Sequence, residues 1–369
     1  MRKGFWLCLS AAVFFVLLPG AAGAKTAAAP KCGATITTSI TLHANLNCSA
    51  GGTNGLNVGK NGIVINLNGH SITGAYSPDA HVGIFNNGFQ KITIKNGTIK
   101  KFYNGYTSLN AVGEQVTRVH FVGIGNNGLD IESGSGGSYS YDTVTKAQIG
   151  IYTNSGSGGK FSHNTLTGNG YGAFEGYSLG NTWTANNFSH STTDGYFDGY
   201  GSTVLTGNIS SYNSSGLGFH LYCNGLGTAV VTKNTANYNG THGIFSHCPA
   251  LNGKHSNFSG NTASHNTGIG IYSYQEAQAT FIGNTANSNT AQGFYFASPD
   301  GCVIKMNTSN GNSADGVYFQ TGNSFFPSQV ATNSSSSNGG YGYNADYPVV
   351  GSGDSGSTNT FGLFFNVSG

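Results

Sequence analysis

Glu175 and Asp198 each stand three residues after a glycine, Gly172 and Gly195, and His220 and His247 stand four after Gly216 and Gly243. If successive copies of this segment stack, the four side chains form one column, with Asp194, Tyr200 and Tyr222 nearby in sequence. Two carboxylates one strand spacing apart lie ~5 Å apart. At that distance they share a proton, split their pKa values or hold a cation. The separation also approaches the ~5–5.5 Å of retaining glycosidases, in which one carboxyl is acid/base and the other nucleophile. Both could instead offer oxygens to Ca²⁺, with His220 or His247 as base, since imidazole ordinarily titrates near neutral pH. Exposed Tyr, Asn and Trp183 would suit stacking on neutral sugars. The plain alternative is that all of these are solvated turn residues. Parity decides, because a slip of one residue moves a side chain to the other face of a strand.

Stacking is expected because the chain repeats. Leading asparagines fall at Asn164, Asn187, Asn208, Asn234, Asn261, Asn284, Asn307 and Asn333, 21 to 27 residues apart. A second Asn follows five residues on in every copy but the one at Asn187, which has Thr192. A glycine comes next, and then apolar or aromatic residues, as in "GIF", "GIY", "GFY" and "GVY". A period in the low twenties marks a solenoid. Short alternating runs such as "KITIK", "TAVVTK" and "ATFIG", separated by Gly, Asn and Ser, argue for strands. Leu is too sparse for leucine-rich repeats. Each unit therefore predicts one coil of a parallel β-helix, an all-β solenoid of ten or eleven coils between about residues 61 and 345. Stacked Asn amides can hydrogen-bond along the axis, which gives the Asn columns a structural role. The aromatics after glycine are expected to fill or cap the core. Residues 25–60 predict an N-terminal cap, and 346–369 a linker with a C-terminal cap strand.

The first residues read as an export signal. Arg2 and Lys3 precede an apolar run from Phe5 to Leu18, and "AGA" at Ala22 to Ala24 is a small-x-small cleavage pattern. Residues 1–24 are thus expected to be removed and the chain secreted or periplasmic, with no membrane span. The remaining charge is 15 − 2 = 13 Lys plus Arg against 13 Asp plus Glu, a net of zero. That excludes a nucleic-acid partner, which needs a basic surface. Gly is over-used at 59 residues, and charged residues make up only 8%, as in a turn-rich β chain. Cys32 with Cys48 and Cys223 with Cys248 are plausible disulfides in an exported protein. Cys302 is left over, and no clustered Cys/His spacing suggests a metal site.

At "INLNGHSITG" (Ile65 to Gly74), and in the preceding "CGATITTSITLHANLNC", the sequence resembles secreted right-handed parallel β-helix proteins. These form the pectin-lyase-like class, which includes the NosD-type family. The resemblance spans nearly the whole chain after the signal and implies the fold. It does not imply one activity, because the class includes lyases, hydrolases, epimerases, tailspikes and adhesins. The polygalacturonase-like and alginate-epimerase-like motifs are absent; the nearest text is "TTDG" at Thr192 and "THG" at Thr241. The NosD-type name implies copper, but soft ligands are missing, since Met306 is the only methionine after the signal. A polyuronate lyase needs cations, and Arg118 is the only arginine left. Three readings follow. The first is a protein that binds, and as a hydrolase or lyase cleaves, an extracellular polysaccharide or cell-surface glycan. The second is a non-catalytic adhesive or matrix protein. The third is an ice-binding wall built on the column Thr235, Thr262, Thr285 and Thr308.

Overall fold

The computed structural model describes residues 29–50, 52–76, 81–223, 227–249, 253–320 and 327–368. The expected signal segment, 1–24, lies outside them. The described chain is all β, with no helix, and winds into a parallel solenoid of about 14 turns. Each mature coil presents three faces. One carries strands such as Tyr171–Glu175, Tyr196–Asp198 and Phe219–Leu221, paired in parallel register. The second carries Leu179–Thr184, Ser202–Thr206 and Ala229–Thr232. The third is a line of single bridges, Asn187 to Ile209 to Thr235 to Thr262 to Thr285 to Thr308.

Two Asn ladders hold the coils in register. The first runs through Asn164, Asn186, Asn208, Asn234, Asn261, Asn284, Asn307 and Asn333. Each side-chain oxygen accepts the backbone N–H of the preceding coil, and each Nδ2 reaches back to a carbonyl. Asn234 Nδ2, for example, donates to Leu205 O at 2.9 Å and to Asn261 Oδ1 at 3.1 Å. These amides are buried, so every donor and acceptor they satisfy would otherwise be costly. Two sequence assignments move by one residue. The ladder uses Asn186, not Asn187, and the second ladder uses Ser191, whose N–H donates to Asn213 Oδ1, not Thr192.

The coil count exceeds ten or eleven because both expected caps are themselves coiled. Ala34–Ile36, Ile40–Thr41 and Leu46–Asn47 each pair in register with the next coil, making a complete first turn stapled by Cys32–Cys48. The "GSGDSGSTN" stretch, expected as a linker, also closes a turn: Asp354 Oδ1 and Asn359 Oδ1 take the last places in the two Asn ladders. Phe364–Ser368 then pairs with Tyr343–Ser352. The second expected disulfide, Cys223–Cys248, is formed, and Cys302 is buried and free.

The glycine that opens each first-face strand is set by close approach. A Cβ on Gly243 would lie 2.7 Å from Gly270 O and from the Ala263 Cβ, and one on Gly218 would lie 2.6 Å from Gly243 O. Only hydrogen fits there. In the coil between Gly195 and Gly243 that position belongs to Gly218, not Gly216. This shifts everything read from the glycine by two residues.

Candidate functional site

With the glycine reassigned, the four acid–base residues divide. Glu175, Asp198, Leu221 and Ser246 form one in-register column, and its side chains point into the core. Glu175 is fully buried. It accepts hydrogen bonds from Asn181 Nδ2 at 2.8 Å, Trp183 Nε1 at 2.8 Å and Tyr196 OH at 2.6 Å. Burial pushes its carboxyl up to about 7, against the pull of these three donors. Asp198, in register beside it, accepts from Gly201 N at 2.9 Å, while its Oδ2 is buried without a partner. Burial, and then the Glu175 charge, raise Asp198 well above the carboxylate range. The expected outward acid pair is thus an internal one, closed to a polymer. Protein donors engage both Glu175 oxygens and Asp198 Oδ1, leaving only the buried Asp198 Oδ2, whereas Ca²⁺ wants six to eight oxygen ligands. Trp183, expected as an exposed stacking surface, is fully buried and packs on Phe161 at 3.9 Å.

His220 faces outward, two residues after Gly218. Its Nδ1 lies 2.9 Å from Asp194 Oδ2, and Asp194 Oδ1 accepts Leu217 N–H at 2.8 Å. Asp194 therefore fixes the ring with the hydrogen on Nδ1 and leaves Nε2 toward solvent, the arrangement that suits proton transfer. His242 flanks this pair. Its Nδ1 accepts Ile269 N–H at 2.8 Å, and burial, with a smaller contribution from His220, lowers its pKa.

His220 also belongs to a column that the sequence reading assigned to the core. The residue directly after each first-face glycine fills the core, and the next one faces out. In register, these outward residues are Tyr152, Phe174, Phe197, His220, Phe245, Tyr272, Tyr295 and Tyr318. All are half-buried, and neighbouring rings sit 4.6 to 5.7 Å apart. A shorter second column lines the strand exits: Tyr177, Tyr200, Tyr222, His247 and Tyr274. Tyr200, Tyr222 and His247 therefore share the outer surface with His220 but not its column. The signal was present in the sequence as an aromatic or His two places after each wall glycine. On the third face the Thr column is in register, but Asn237, Ser264 and Asn287 beside it are tied to backbone N–H groups of the next coil.

A family model described as "Right handed beta helix region" matches residues 108–250. This chain is a right-handed parallel β-helix protein. A second family model, "Periplasmic copper-binding protein (NosD)", matches residues 196–347 of the β-helix. The side chains do not fit copper. Among the described residues no three His, Cys, Asp or Glu converge on an ion-sized site. Met306 is exposed, and Cys302 is buried with its thiol pushed up to about 12, chiefly by burial. No curated protein matches the β-helix in sequence. Among solved structures, the periplasmic alginate epimerase AlgG is 14% identical, with a TM-score of 0.52 over 86% of this chain and 77% of that one. The Azotobacter vinelandii mannuronan C-5 epimerase AlgE4 A-module is 13% identical, with a TM-score of 0.51 over 89% of each. These likenesses are of fold. No helix among the described residues is long and apolar enough to cross a membrane.

Proposed function

We propose that this protein is exported and binds a polysaccharide chain along the outer aromatic wall of its first face. The observation that carries the reading is the unbroken, in-register ring column from Tyr152 to Tyr318. Half-buried rings are held rigid by the coil while an edge or face meets solvent, which is what C–H stacking on sugar rings requires. Export is supported by the N-terminal signal pattern, by two disulfides and by the periplasmic description of the NosD family. The two epimerases named above act, by their titles, on alginate and mannuronan and share this fold.

A second reading adds chemistry. Asp194 and His220 sit mid-wall, and His220 Nε2 is positioned to exchange a proton with a bound chain. In this reading Glu175 and Asp198 support the strand from inside. The test is a polysaccharide panel scored for both binding and product release. Wild type is compared with Phe197→Ala/Tyr272→Ala and with His220→Gln. Binding lost in the double aromatic variant supports the wall. Product release lost in His220→Gln, with binding kept, supports catalysis. Binding by neither wild type nor variant sinks the reading and favours a structural or adhesive role.

A further inference from the structure

We infer that the wall takes an uncharged polysaccharide and rejects polyuronates, an inference that rests on the binding role proposed above. Two observations carry it, ring orientation and charge.

In the middle of the wall successive rings turn against one another: Phe197 to His220 at 88°, His220 to Phe245 at 81°, Phe245 to Tyr272 at 72° and Tyr272 to Tyr295 at 47°, whereas at its end Tyr295 and Tyr318 stack at 13°. Rings that meet edge to face leave alternate faces turned away from their neighbours. The contrast is internal to the molecule. At another corner His190, Tyr212, Tyr238 and His265 stack at 4° to 7°, so that each ring covers the next. In that row neighbouring rings cover one another's faces, whereas edge-to-face neighbours in the middle of the wall leave ring faces uncovered by the next ring, and sugar C–H groups stack on faces.

The charge on the wall has one sign. Between Asn127 and Gln320 its strands contain no Lys or Arg. The acids at or beside it are Asp130, Glu132, Asp194, Asp315 and Asp346. Asp346 Oδ1 accepts the Tyr318 hydroxyl at 2.8 Å, and Asp315 accepts Tyr341 N–H and Asn344 Nδ2. A polyuronate would lay a carboxylate on every sugar against these acids, with no guanidinium or ammonium on these strands to receive it. A neutral chain meets no such repulsion and gains acceptors for its hydroxyls.

The test is affinity electrophoresis of the mature chain in gels containing neutral glucan, mannan or galactan, or alginate or polygalacturonate, at low and physiological salt. The expected result is retardation by a neutral polymer, independent of salt, with none by either polyuronate. Phe245→Ala/Tyr272→Ala should weaken neutral binding by about tenfold, and Phe245→Tyr/Tyr272→Phe should keep it, which separates ring loss from misfolding. Asp315→Asn/Asp346→Asn removes both negative charges and should admit polyuronates. Salt-sensitive retention of a polyuronate by wild type, with neutral polymers ignored, overturns the inference but leaves the binding wall standing. Retention of neither class overturns both.

Discussion

Glu276 gives the sharpest test of how this core treats charge. It is fully buried at the corner that follows the first-face strand Ile271–Tyr274. Its Oε1 accepts Ser246 Oγ and Cys248 N–H, the latter at 2.8 Å, while Oε2 has no partner. Burial raises its carboxyl from 4.5 to about 7, against the pull of those hydrogen bonds. A raised folded-state pKa means that the native protein holds the proton more tightly than the unfolded chain does. The contribution to stability is therefore fully present below about pH 4.5 and is lost as pH rises through about 7. That rise corresponds to about 3 kcal/mol. Glu276→Gln keeps the acceptor and matches the protonated shape but cannot ionise. Denaturant unfolding of wild type and variant, followed at about pH 5 and about pH 8, should show Gln close to wild type at the lower pH. At the higher pH Gln should be the more stable by up to about 3 kcal/mol. Stability differences that stay constant across this range would refute the account of Glu276 as a carboxyl held neutral by burial.

Asn261→Ala removes two donors and an acceptor from the first ladder and orphans Val231 O and Asn234 N–H; roughly 3 kcal/mol of stability should go with them, measured by denaturant midpoint. Gly270→Ala places a Cβ 2.6 Å from Gly293 O and 2.7 Å from the Ala286 Cβ, so thermal scans should show a strongly lowered Tm or no folded protein. Opening Cys223–Cys248, a closure of 25 residues, should cost about 3.5 kcal/mol in the chain-entropy account, read by unfolding Cys223→Ser/Cys248→Ser beside wild type. Trp183→Phe deletes the Nε1 donor to Glu175 and should raise the Glu175 pKa further, so its destabilisation relative to wild type should grow from about pH 5 to about pH 8.

Much of this was legible in the residues. The Asn spacing and the short alternating runs determined a parallel β-helix, because an amide column satisfies buried backbone groups only if identical positions stack. The cysteine spacing, in a chain that opens with an export-signal pattern, pointed to both disulfides. The coil number was not legible at the ends. The first turn lacks the Asn signature, and the last replaces one ladder Asn with Asp354. Nor could the sequence decide which way the acids face. Glu175 looked like a surface carboxylate because acids usually are, yet Asn181, Trp183 and Tyr196 together make a buried place for it. Those donors are 6, 8 and 21 residues away and converge only once the coils are stacked. The choice between Gly216 and Gly218 had the same character. In "SSGLGFH" either glycine can open the strand by local preference. Only the register of the stacked strands, in which Phe219 pairs with Tyr196 and Ile244, assigns the position to Gly218 and turns His220 outward to Asp194. Sequence period sets the coil, but the two faces of a strand differ by a single residue, and the neighbouring coil decides between them.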